Sequence, residues 1–255
     1  MKFTLEPVAV IKTCFPEKFG IPRQSSLCPS AIGELTLLPP FNQADAVVGL
    51  EQVSHLWLSF IFHRHVDRQW KPKVRPPRLG GNKKLGVFAT RSSFRPNHIG
   101  LSVVKLESIE FRRERKAMRQ EDTHGSQIIL HVSGIDLLDG TPIIDIKPYV
   151  PYADCIYEAS NLMASAAPLT MSVSFQASAC LFLDTLAVNK NKANADNLKN
   201  LIIEVLQQDP RPAYHVADLA RTYNMLLYRF DIKWSYRYDV DKLLNIDVVE
   251  IADVL

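Results

Sequence analysis

The stretch GVFATRSSFRPNHIGLSVVKL, Gly86 to Leu106, decides how the rest of the chain is read. Its ends carry the apolar alternation and runs of β-strands, while its centre holds Arg91 and Arg95 and then Pro96, Asn97, His98 and Gly100. Two strands joined by so polar a connection place cations and a tight turn at a sheet edge. Arg91 falls at the end of the first strand, Arg95 deeper in the loop, and Pro96 to Gly100 turn the chain back to Leu101.

Upstream, HLWLSFIFHRH (55–65) is aromatic and β-branched, as a buried strand at a sheet centre requires. FTLEPVAVI (3–11) and GELTLL (33–38) read as earlier strands around the turn-forming FPEKFGIPRQ, and FNQADAVVGLEQV (41–53) as a short helix capped by Asn42. VRPPRLGGNKKLG (74–86) is an extended, exposed loop feeding GVFAT. Downstream, SVVKLESIEF and QIILHVSGIDLLDGTPIIDIKPYV continue the strand pattern around FRRERKAMRQEDTHGS (111–126), a charged segment without apolar periodicity that reads as a loose, solvated hairpin loop.

Beyond Tyr152 the composition turns to Ala, Ser and Asn, as in a linker. MSVSFQASACLFL then reads as a strand, NADNLKNLIIEVLQQ as an amphipathic helix stopped by Asp209-Pro210, and NMLLYRFDIKWSYRYD and LLNIDVVEIADV as two final strands. The expected architecture is mainly β: a β-barrel domain over 1–155 and a small α+β domain over 156–255.

Composition removes several classes. At 255 residues and 47% hydrophobic the chain builds a globular core, and a net charge of +3 does not by itself mark a nucleic-acid binder. The four cysteines lie far apart without a C-x-x-C pair, which predicts reduced, mostly buried thiols. Glu6 interrupts the N-terminal apolar run, so neither a signal peptide nor a membrane span is expected, and the cytoplasm is the default location. No Walker loop or helix-opening G-x-G-x-x-G is present. His63 and His65, two apart in a strand, share a face without a third ligand and read as a polar pair, so no metal is expected.

Cations and polar groups instead gather where apolar segments end: Pro22-Arg23-Gln24, His63-Arg64, Arg75, Arg78 and Arg91 to His98. Arginine resists burial and prefers planar anions, so these ends predict a cleft for a carboxylate, a phosphate or a stacked base. In IDLLDGTPIIDIKPYVPY (135–152) Asp136 and Asp139 flank two leucines, a floor suited to an adenine or a ribose diol, although Asp139-Gly140 is equally a hairpin turn.

The blocks PRQ (22–24), GELTLLPPFNQADAVVGLEQVSHLW, RPPRLGG (75–81), GVFATRSSFRPNHIGLS, DLLDGTPIIDIKPY and DPRPAY (209–214) occur in order. Together they resemble the TrmO family, also called TsaA-like or YaeB-like, over nearly the whole chain. The resemblance implies a homodimeric, S-adenosylmethionine-dependent enzyme with a non-Rossmann β-barrel. Its implied reaction is methylation of N6 of threonylcarbamoyladenosine, just 3′ of the anticodon in threonine tRNA.

By resemblance, the cofactor contacts are Pro22, Arg23 and Gln24, then His63 and Arg64, then Arg91 and Leu101, then Asp136, Leu137, Leu138 and Asp139. Arg91 is expected to clamp the cofactor carboxylate, with Leu101, Leu137 and Leu138 covering adenine. The family often has an uncharged polar residue in place of Arg64 and Pro in place of His98, which points to backbone contacts at the first and assigns no role to the second. Phosphates of the anticodon loop are expected on Arg75, Arg78, Lys83, Lys84, Arg95 and Arg211, with Phe94 or Tyr214 stacking on bases. Candidates to receive the N6 proton are Asp145, Tyr149 and His63, with solvent as the alternative. Two other readings stand beside the enzyme: a non-catalytic module that binds S-adenosylmethionine or a nucleotide, and an interaction protein that binds acidic partners.

Overall fold

The structure is a computed structural model that describes residues 3–76, 83–113, 126–161, 164, 170–211 and 216–254. Six strands close a barrel: β1 (Ala9–Thr13), β2 (Ile32–Leu37), β3 (His55–Ile61), β6 (Ile99–Arg113), β7 (Ser126–Ser133) and β8 (Thr141–Pro148). Their order around the barrel is β1-β2-β7-β6-β3-β8, every neighbouring pair antiparallel. Two short strands, β4 (Lys73–Val74) and β5 (Leu85–Gly86), pair outside it.

Alternation fixes the pleat. In β3, Leu56, Leu58 and Phe60 point inward and are buried, while His55, Trp57, Ser59 and Ile61 are partly exposed on the outer face. Ile11, Leu35, Val104, Leu130 and Ile143 fill the same interior. Each such side chain contributes about 1.5–3 kcal/mol by leaving water, and closure leaves no barrel edge unpaired.

After the single-turn helix α1 (Pro151–Asp154), the chain forms β9 (Val173–Phe175), α2 (Ala177–Asn189), α3 (Lys192–Leu206), β10 (Tyr223–Leu227), β11 (Phe230–Tyr238) and β12 (Leu244–Asp253). The sheet order is β10-β11-β12-β9, with β9 parallel to β12. The Asn191 side chain caps α3 by accepting from the Asn194 N–H at 2.8 Å. Ala195, Leu198, Leu201, Ile202 and Val205 form its buried stripe.

This C-terminal part is fastened to the loop between β1 and β2. Ser30 donates its N–H and its hydroxyl to the two Glu204 carboxylate oxygens at 2.8 and 2.9 Å. Gln208 donates to Leu27 O at 3.2 Å, and Phe19 stacks on Trp234 with ring centroids 6.0 Å apart. One continuous set of buried apolar side chains runs through both parts.

Several sequence expectations need correcting. GVFAT is not a barrel strand: after β5, Val87–Ala89 make one 3-10 turn, closed by the Thr90 N–H and hydroxyl on Val87 O at 3.1 and 2.8 Å. FNQADAVVGLEQV is not one helix, because Gly49 at φ +90° divides it into 3-10 turns at Ala44–Val47 and Leu50–Gln52. The first strand begins only at Ala9, after Pro7. In MSVSFQASACLFL only Val173–Phe175 is strand; the rest opens α2, where Ala179 and Leu183, four apart, share a buried face. NMLLYRFDIKWSYRYD is a hairpin, since Tyr228 adopts φ +53° and turns the chain with Arg229.

His63–His65 form a 3-10 turn rather than the end of a strand. Cys14 and Cys28 are buried as expected, but Cys155 and Cys180 are exposed. Most of the charged 111–126 segment lies outside the described residues. Among the described residues no helix is long and apolar enough to cross a membrane, and no three His, Cys, Asp or Glu side chains gather as a metal site.

Candidate active site

β1, β3 and β7 end, and β2, β6 and β8 begin, at the same mouth of the barrel. A cleft of about 530 Å³ opens there, lined by Lys18 and Ile21 to Gln24 of the loop after β1, the turn at 62–65, Thr90, Arg91, Ser93 and Arg95, the first residues of β6, Asp136 to Leu138, and Thr141. That volume suits a nucleotide-sized ligand.

Two loops distant in sequence meet where the Arg91 guanidinium donates to the Gln24 side-chain carbonyl. Below them Asp136 accepts the Ser102 hydroxyl at 2.6 Å. Burial raises the Asp136 carboxyl above the ordinary range, while the Ser102 hydrogen bond and the nearby Arg91 charge work against that rise. Leu137 and Leu138 supply the apolar wall.

The turn at 62–65 carries a separate group of charges. Burial lowers the His63 pKa, assisted by Arg64 and Lys18. Burial, then Lys18 and Arg68, lower His65 from 6.5 to about 4, so both imidazoles are neutral at neutral pH. Lys18 Nζ lies 3.4 Å from each His65 ring nitrogen, and Ser93 Oγ lies 3.3 Å from Nε2.

Of the expected cofactor residues, Pro22, Arg23, Gln24, His63, Arg64, Arg91, Leu101, Asp136, Leu137 and Leu138 all line the cleft. Asp139 does not: its carboxylate accepts the Thr13 N–H at 2.7 Å and ties the turn before β8 to β1. Its side chain therefore reads as turn chemistry rather than as a ligand contact.

The expected tRNA cations divide. Arg75, Lys83 and Lys84 are exposed. Arg95 lines the cleft, but its guanidinium donates to Thr90 O at 2.6 Å and Val87 O at 3.4 Å, holding the turn that presents Arg91. Arg211 pairs with Asp209 at 2.9 Å and lies 4.9 Å over the Tyr236 ring, a packed arrangement within the C-terminal part. Its backbone carbonyl instead accepts from Arg23 at 3.3 Å. Arg78 and Tyr214 lie outside the described residues. Phe94 sits edge-on to His65 at 5.0 Å, with Lys71 Nζ 4.5 Å above its ring.

Among the three proton-acceptor candidates only His63 lines the cleft. Asp145 pairs with Lys147 at 3.5 Å, and Tyr149 packs 6.0 Å from Trp57 with its phenol pKa raised, the wrong direction for a base. His98, at φ +51°, closes a turn with its N–H on Arg95 O, and its Nδ1 lies 3.1 Å from Ser93 O.

Sequence reasoning missed Lys18, His65, Ser93, Ser102 and the pair Phe60 and Gly100, all of which line the cleft. Lys18 stands in the same short loop as Pro22, and Ser102 directly follows Leu101, so adjacency was the available signal.

A closed antiparallel barrel with a cleft at its mouth, holding one carboxylate-matching arginine and a buried acceptor beside an apolar wall, defines a non-Rossmann barrel that binds a nucleotide-like cofactor. Residues 10–155 match the tRNA-methyltransferase O N-terminal domain, and residues 168–252 match the TrmO C-terminal domain. The chain belongs to the tRNA-methyltransferase O family.

It is 46% identical over 247 residues to RcsF of Pseudomonas aeruginosa, named for S-adenosylmethionine-dependent methyl transfer; the match covers 96% of this chain and 98% of the relative. It is 46% identical over 234 residues to the tRNA (adenine(37)-N6)-methyltransferase of Escherichia coli K12, covering 91% and 92%. The crystal structure of TrmO from Pseudomonas aeruginosa superposes with a TM-score of 0.73 at 39% identity, covering 99% of both chains.

Proposed function

We propose that this chain methylates N6 of N6-threonylcarbamoyladenosine, 3′ of the anticodon in threonine tRNA. It is an enzyme of the tRNA adenine(37)-N6-methyltransferase kind, dependent on S-adenosylmethionine. One observation carries the assignment to this site: the residues expected to hold the cofactor, Asp139 apart, line a single cleft of fitting volume.

The donor set fits that group. Arg91, oriented by Gln24, matches a planar carboxylate; Asp136 with Ser102 offers an acceptor for a sugar hydroxyl; Leu137, Leu138 and Leu101 cover a base. When bound, S-adenosylmethionine supplies a methyl group from its sulfonium. The protein's own work is to align donor and acceptor and exclude water, and no covalent nucleophile is required. On this reading His63, which lines the cleft and whose pKa is lowered mainly by burial, receives the N6 proton.

Arg75, Lys83 and Lys84, exposed near the cleft-forming segments, take phosphates of the anticodon stem and loop. The C-terminal domain, 156–255, assists tRNA binding. A second copy of the chain packs against the open side of the cleft, where Ile99 and Leu101 are 37% and 55% exposed, together with the segment bearing Tyr152 and Tyr157 at 93% and 90%. Such an enzyme works in the cytoplasm, with its tRNA.

Mass spectrometry of anticodon-loop fragments from cells with and without this gene is the test. Loss of one methyl from threonylcarbamoyladenosine in threonine tRNA is expected in its absence. An unchanged spectrum, together with cofactor binding by the pure protein, would favour the regulatory module.

A further inference from the structure

The cleft has two cationic regions, and a methyl donor with one carboxylate accounts for one of them. The Arg91 region already includes Gln24 and Asp136. The other consists of Lys18 and Arg64 on the cleft wall with Arg68 one turn further along the chain. All three are exposed, and among the described residues none of them forms an ion pair. Among the described residues Lys18 has only the His65 ring as a hydrogen-bonding neighbour, 3.4 Å away, so its ammonium keeps donors for a ligand. Ser93 Oγ adds a hydroxyl beside the same ring.

We propose that Lys18, with Arg64 and Ser93, forms a second oxyanion subsite that takes the carboxylate of an acidic substituent on the acceptor adenine. This proposal rests on the acceptor assignment made above and names the side chains that read it. Burial is the main reason both imidazoles are held down, and the cations add to it: Arg64 and Lys18 at His63, where Asp139 works against them, and Lys18 and Arg68 at His65. A ligand carboxylate there supplies the missing charge and keeps the substituted nitrogen within the cleft that His63 also lines. An acceptor without the acid leaves the cations unpaired, so the subsite discriminates between acceptors as well as binding them.

Three anticodon stem-loop RNAs test this: one bearing threonylcarbamoyladenosine, one with its carboxylate converted to a carboxamide, and one with plain adenosine. They are assayed for kcat/KM with the wild-type chain, Lys18→Ala and Lys18→Arg, alongside calorimetric S-adenosylmethionine affinity. The wild type is expected to prefer carboxylate over carboxamide by about 10-fold to 100-fold, the worth of a charge-assisted contact. In Lys18→Ala that preference collapses towards unity while cofactor affinity stays within about twofold; Lys18→Arg keeps most of it.

Preference unchanged in Lys18→Ala, or absent in the wild type, overturns the subsite. Cofactor affinity falling in step with Lys18→Ala overturns it too, because the anion is then the donor's. A preference that survives the carboxamide but tracks salt assigns the cations to backbone phosphate and likewise removes the subsite. If the wild type acts on plain adenosine and not on the threonylcarbamoyl RNA, the acceptor assignment itself falls, a result distinct from the others.

Discussion

The ring of Phe60 occupies the space in which a side chain on Gly100 would begin: a Cβ there would lie 2.2 Å from the ring tip. The two residues are register partners on β3 and β6, and both line the cleft. Gly100→Ala must displace a ring that is 5% exposed and packed edge-on against Phe62 at 5.1 Å. The expected cost is about 1–3 kcal/mol of stability, with weakened cofactor binding, read by denaturant unfolding and calorimetry. An alanine variant with unaltered affinity would show that the ring has room to withdraw.

Arg91 and Gln24 act as a pair across the cleft. Arg91→Ala is expected to weaken S-adenosylmethionine binding about 10-fold to 100-fold. Gln24→Ala should weaken it less, because the guanidinium remains and only its orientation is lost. Equal cofactor affinity in wild type and Arg91→Ala would remove the carboxylate clamp from the proposed site.

Glu204 holds Ser30 through both of its oxygens and so anchors α3 to the loop between β1 and β2. Glu204→Ala leaves the Ser30 N–H and hydroxyl without that partner and should cost about 1–3 kcal/mol. Glu204→Gln should show only part of that loss, since one amide oxygen still accepts. Urea unfolding of the three proteins orders them.

Stability should also respond to pH through His65. Its folded pKa is about 4 against an ordinary 6.5, mainly from burial and then from Lys18 and Arg68. An unfolded chain takes up the proton at the ordinary value, so from pH 6.5 down to about 4 the unfolded state binds the extra proton and the fold weakens. Above that window the contribution is complete. Melting temperature should fall across it, and less steeply in His65→Gln; matching profiles would assign the acid sensitivity to other groups.

Anticodon stem-loop affinity should decline linearly on a log-log plot against salt, as expected for released counterions. Lys83→Ala combined with Lys84→Ala should lower the slope by about 1 to 2. Arg211→Ala should leave the slope alone and reduce stability, since its guanidinium is held by Asp209 over Tyr236. A slope changed by Arg211→Ala and not by the lysines would reverse the assignment.

The barrel was legible because β2, β3, β7 and β8 alternate or concentrate their apolar residues at period two, which only a half-buried pleat requires. What escaped was decided by single backbone torsions or by contacts distant in sequence. Tyr228 makes a hairpin turn without glycine, so nothing in YRF announced it. The apolar run before Asp184 fits either period, and only packing made it a helix. The cleft residues were found through clustered cations and a family pattern; Lys18 and His65 needed the fold, because 47 positions separate two groups that touch. Asp139 looked like a ligand contact for the opposite reason: its partner, Thr13, cannot be seen in the local sequence, and for Arg211 the Asp209 partner two residues away was in view but the Tyr236 ring beneath it was not.

The loop that carries Pro22, Arg23 and Gln24 is gripped from behind by Glu204, Gln208 and the carbonyl of Arg211. That wall of the cleft and the C-terminal helix are therefore one mechanical unit. A shift of α3 is carried into the loop that lines the cleft, and neither part of the chain is free to drift without the other.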